Sequence, residues 1–173
     1  MLTTSFVEPQ ALPQQINNTF LTSKDFYVTD WEAVHSWSEQ TTPEGKLFYT
    51  NRKLTDVDNK LLGKSVVLTF VKGYNFSQFP LKEKPVLLPF EFFLPEEGIK
   101  TPISWKIRKG TDELQVGFRI PDVYTNAFQI NEKKIQLRHF LFHEAFLEKN
   151  KITRQALHNM TYKQVAALAG VDS

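Results

Sequence analysis

The stretch Ile103–Ile120, ISWKIRKGTDELQVGFRI, constrains the fold more than any other part of this sequence. Ile103, Trp105 and Ile107 alternate with Ser104, Lys106 and Arg108. After a polar segment from Lys109 to Glu113, Leu114, Val116, Phe118 and Ile120 alternate with Gln115, Gly117 and Arg119. A period of two places one set of side chains on each face of an extended strand. Two such runs joined by a short glycine-containing turn predict an antiparallel hairpin. One face must lie on a core and the other must meet water.

The rest of the chain extends this pattern. Ser65–Val71 is almost continuously β-branched or apolar between Gly63 and Gly73, which predicts a strand buried on both faces. PVLLPFEFFLPEEG carries a second β signal divided by Pro89, so an edge or bulged strand is expected there. Within it, Phe90, Phe92 and Leu94 would share a face, opposite Glu91 and Phe93. A turn at Pro43-Glu44-Gly45 leads into an aromatic strand at Leu47–Tyr49, and further strands are expected near Ala127–Ile130 and from Lys134. Thr29 or Asp30 reads as the cap of a short helix running to Trp37. The tail has a helical character. Thr161 and Gln164 form a capping box, Gly170 stands at the C-cap, and Val165, Leu168 and Ala169 form the buried side. The expected fold is mainly β, an antiparallel sandwich or barrel-like domain with short C-terminal helices. Residues 1–24, broken by Pro9 and Pro13, read as an extended arm, residues 25–150 as the β-rich domain, and residues 151–173 as a helical docking tail.

Charge and composition narrow the function. The net charge is only +2. Residues 1–99 hold 9 basic and 12 acidic side chains, whereas residues 100–154 hold 11 and 6, so the second half is positively biased. Cysteine is absent, which excludes disulfides, thiolate metal sites and a cysteine nucleophile. The N-terminus lacks the basic region and apolar run of a signal peptide, and no run is long enough to span a bilayer. A cytoplasmic or virion location is expected.

The local motifs are incomplete as reaction sites. His139 and His143, in LRHFLFHEAF, lie four apart and share a face in a helix or in a strand. Two imidazoles at that spacing suit zinc, but the order His-x-x-x-His-Glu does not place the glutamate as His-Glu-x-x-His does. Structural or interface histidines are the stronger expectation. Gly63-Lys64-Ser65 lacks the opening glycine of a phosphate loop, since Asp58 stands there. Asp56 and Asp58 begin a calcium-like loop whose sixth position is Leu61 instead of glycine. The segment YKQVAALAGV resembles the first half of a helix-turn-helix unit, with Ala166 and Gly170 in the small-residue positions, and no recognition helix follows it here.

These readings leave three expectations of function. The first is a non-enzymatic structural or assembly protein, with a component of a viral or phage particle as one concrete version. It would act through a protein partner or as a homo-oligomer, with Phe6, Phe20, Tyr162, Val165 and Leu168 as interface residues. The second is a β-domain that binds single-stranded nucleic acid through Lys106, Arg108, Arg119, Lys133, Lys134 and Arg138. Alternation places Trp105 away from Lys106 and Arg108, which leaves that surface without an assigned stacking ring. The third is a metal-dependent hydrolase built on the histidine pair. No catalytic, metal-ligating or cofactor-binding residue is assigned, and no cofactor is expected.

Overall fold

A computed structural model describes residues 20–22, 25–54, 57, 59–73, 84–93, 102–122 and 135–172. Two antiparallel sheets form a sandwich and do not close into a barrel. The strands are β1 (Phe20–Thr22), β2 (Phe26–Thr29), β3 (Glu32–Ala33), β4 (Ser38–Thr42), β5 (Gly45–Lys53), β6 (Ser65–Lys72), β7 (Val86–Leu87), β8 (Phe90–Phe92), β9 (Ile103–Lys109), β10 (Glu113–Ile120) and β11 (Gln136–His143). Four short helices complete the described chain: α1 (Asn59–Gly63), α2 (Glu144–Lys149), α3 (Arg154–His158) and α4 (Tyr162–Leu168).

The five-stranded sheet runs β4-β5-β10-β9-β8 and contains the hairpin read from the sequence. Phe118 lies opposite both Trp105 and Phe48, and its ring stacks on each, at 4.7 and 5.1 Å between centroids. Trp37 meets Phe118 edge-on at 5.3 Å. Contacts of this kind contribute roughly 0.5–1.5 kcal/mol each beyond area burial, and they fill the space between the sheets with rings. Gly45 begins β5 at φ +122°, and a Cβ there would lie 2.2 Å from the Ile120 carbonyl oxygen. Only glycine permits both that backbone and that approach.

The six-stranded sheet is centred on β11, which pairs with β6 along one edge and with β2 and β3 along the other. It is the middle layer of the molecule. Val71 and Leu137 join the core beneath the five-stranded sheet, with Trp105, Phe118 and Ile120. Leu68, Phe70, Phe140 and Phe142 instead meet Leu147, Leu157, Val165 and Ala169 of the C-terminal helices and the end of α4. Burial on both sides explains the nearly unbroken apolar run of β6, as expected from its sequence. At the end of α4, Gly170 at φ +66° lets its own N–H reach the Ala167 carbonyl and the Val171 N–H reach that of Ala166. That is a Schellman close, and Thr161 with Gln164 forms the capping box at the other end.

One local expectation is corrected and another is extended. No helix follows Asp30. The chain passes instead from β2 through Asp30 into β3, because pairing of Glu32 and Ala33 with β11 outweighs a weak capping signal. Pro89 does more than mark an edge. It separates β7, at the rim of one sheet, from β8, at the rim of the other, so the chain changes layer at the proline. The strand expected near Ala127–Ile130, and the placement of Leu94, lie outside the described residues.

Candidate nucleic-acid interface

The outer face of the five-stranded sheet follows from register. Gly117 of β10 lies opposite Lys106 of β9 and Tyr49 of β5. One step of two along β10, Arg119 lies opposite Ser104 and Leu47, and in the other direction Gln115 lies opposite Arg108 and Asn51. Directly opposed residues have Cβ atoms roughly 4.5–5.5 Å apart, so these side chains form one continuous surface. The Gln115 amide donates to Asn51 Oδ1 at 3.0 Å across it. Gly117 contributes no side chain and is among the residues lining a cavity of about 570 Å³. Tyr49, Ser104, Lys106, Arg108, Gln115 and Arg119 all line it.

Lys106, Arg108 and Arg119, which alternation alone had placed on one face, are thus brought together. Lys106 and Arg108 form no ion pair among the described residues, whereas Arg119 meets Glu44 at the rim. Glu91, opposite Ser104, is a second exposed carboxylate on this face. Ser104 is 1% exposed, yet its hydroxyl has no hydrogen-bond partner, and neither has the buried Arg119 Nε. Leaving a buried polar group bare costs about 1–3 kcal/mol. Both unmatched atoms belong to residues that line the same cavity.

Tyr49 is the residue that the sequence reading missed. Its place in an aromatic strand was legible, but its facing depends on pairing with a strand more than sixty residues later. It supplies an aromatic ring on the same side as the cations, the element that Trp105 could not supply. Trp105 lies in the core, as expected.

The other candidates have different positions. Arg138 is 7% exposed and faces the C-terminal helices, where its Nε donates to the Thr29 carbonyl at 2.8 Å and its Nη1 to the Tyr162 hydroxyl and the Asp172 carbonyl. The structure does not bring it to the basic face. Lys133, Lys134 and Phe6 lie outside the described residues, and Phe20 is in edge strand β1. Tyr162, Val165 and Leu168 pack against the six-stranded sheet of their own chain. The Trp31 indole N–H also donates to the Tyr162 hydroxyl, at 3.1 Å.

The two histidines are separated in role. His139 is buried between the sheets, where Nδ1 shares a hydrogen bond with the Thr69 hydroxyl at 2.9 Å. Burial, reinforced by the nearby Arg52 guanidinium, holds its pKa down to about 3. Glu32, paired with Arg52, shifts upward because desolvation by burial outweighs the attraction. His143 is the N-cap of α2, and its Nδ1 accepts from the Ala145 N–H at 3.1 Å. Glu144 pairs with Arg154. No group of three or more His, Asp or Glu side chains suited to a metal occurs among the described residues. Ser65 of the Gly-Lys-Ser tripeptide donates its hydroxyl to the Leu61 carbonyl at 2.6 Å and stands where α1 passes into β6. Comparison with family models, curated proteins and solved structures returned no match.

Proposed function

We propose that this protein binds single-stranded nucleic acid on the outer face of its five-stranded sheet, without catalysing a reaction. One observation carries the reading: Lys106, Arg108 and Arg119 line a single open cavity together with Tyr49. Cations that track a phosphate backbone, combined with an aromatic face for a base, are what a sequence-tolerant single-strand site requires. The cavity gives a base or sugar room to approach the sheet. The reading of the chain as an assembly protein has less to draw on, because Phe93, at 58%, is the exposed large hydrophobic among the described residues.

Fluorescence anisotropy with labelled oligo-dT and oligo-U tests the proposal. Three phosphate contacts give a slope of log K against log salt of about −2. Tyr49→Ala should weaken binding by roughly tenfold or more, as loss of one stacked base implies. Charge reversal in Lys106→Glu/Arg108→Glu should remove it. Failure of either oligonucleotide to bind at low salt, or indifference to all three substitutions, would overturn the assignment.

A further inference from the structure

Within this face, two residues that are opposed across the β9–β10 ladder each carry an unmatched polar atom. Ser104 and Arg119 are directly opposite in the β9–β10 register and belong to the same cavity lining. The Ser104 hydroxyl and Arg119 Nε are both buried and both lack a hydrogen-bond partner. Lys106 follows Ser104 by two residues and therefore projects on the same side. Beside it Gly117 lines the same cavity, and a Cβ there would press on the Phe48 carbonyl oxygen at 3.3 Å.

All three polar groups can donate: a hydroxyl, a guanidinium N–H and an ammonium. Their natural complement is an anion with several acceptor oxygens. Two carboxylates oppose it. Glu44 holds Arg119 Nη1 at the rim, and Glu91 lies opposite Ser104, but both are exposed to solvent. The guanidinium can keep Glu44 on Nη1 while Nε, on another edge of the fork, donates inward.

We infer that Ser104, Arg119 and Lys106 form a phosphate subsite that seats one phosphodiester of the bound strand. This rests on the nucleic-acid reading for its source of phosphate, while the chemistry is that of any tetrahedral phosphate. When the side chains of the partly exposed Arg119 and the exposed Lys106 shift to uncover them, Ser104 Oγ–H and Arg119 Nε–H each donate to one phosphate oxygen, and Lys106 adds charge. Glu44 tunes the site by offsetting part of the guanidinium's charge from Nη1.

The test is a ¹H–¹⁵N titration of the full chain with inorganic phosphate, following the arginine Nε–H signals at constant ionic strength against chloride. The Arg119 Nε–H signal should shift and saturate. Ser104→Ala, with folding verified by circular dichroism, should weaken phosphate at least fivefold, and Glu44→Gln should tighten it. The oligonucleotide measurement is run on the same proteins. If oligonucleotide binds while phosphate leaves the Arg119 signal unmoved, or Ser104→Ala changes nothing, the subsite is refuted and the interface stands. If phosphate shifts Arg119 and oligonucleotide does not bind, the subsite stands for free phosphate and the nucleic-acid reading fails. Silence from both probes removes both.

Discussion

Lowering the pH isolates one buried side chain. His139 is 1% exposed, and its imidazole is neutral in the folded protein down to about pH 3. In the unfolded chain the same ring titrates near 6.5. Above that value both states are neutral and the group adds no pH dependence. Below it the unfolded state takes up a proton that the folded state refuses, so stability falls as the pH drops from 6.5 toward 3. One proton corresponds to about 1.36 kcal/mol per pH unit, so moving from pH 7.5 to 5.0 should cost about 2 kcal/mol through this residue. The perturbation is His139→Asn, whose amide can keep a bond to Thr69 without titrating. Its absolute stability will be lower because the ring is lost. The decisive quantity is the change between the two pH values, from urea unfolding of both proteins at each. Glu32 shifts upward in the same region, but it is present in both chains and its contribution cancels in the difference. The wild type should lose about 2 kcal/mol more than the variant. Equal losses, within about 0.5 kcal/mol, would refute the claim that a neutral, buried His139 underlies the acid sensitivity.

Other substitutions probe the layers separately. Tyr162→Phe removes the oxygen that receives both the Trp31 indole N–H and the Arg138 guanidinium, and should lower unfolding free energy by about 2 kcal/mol in urea. Gly45→Ala forces a Cβ against the Ile120 carbonyl at φ +122° and should cost more than about 3 kcal/mol, read as a large fall in Tm. Thr161→Ala opens the capping box of α4 and should cost about 1 kcal/mol, with faster amide exchange in that helix.

The elements legible in the sequence were those whose pattern is local. Alternation in Ile103–Ile120 located both strands of the hairpin and their facing, because each strand is wet on one side. Thr161, Gln164 and Gly170 marked the last helix, since caps are chemical signals confined to one turn. The β11 segment was ambiguous for a physical reason. Buried on both faces, it has no alternation to report, and its two histidines share a side in either a strand or a helix. Asp30 resembled a cap because short polar residues also end strands. At the candidate site, the cations could be grouped from one hairpin alone. Tyr49 could not be added, because only the β5–β10 register sets it across Gly117 from Lys106. The burial of Ser104 was equally invisible in a run that assigns it to the wet face.

The position of β11 has a consequence for the order in which the chain can organise. Its partners β2, β3 and β6 all precede it, and no direct pairing joins β6 to β2 or β3 in its absence. Until residues 136–143 are available, the central layer is two separate ladders, and Val66–Val71 presents an unpaired apolar edge. Such an edge templates pairing with other chains. A nascent or truncated chain that lacks β11 is therefore a form prone to aggregate, and that exposure during synthesis or refolding ends when the one strand slots in.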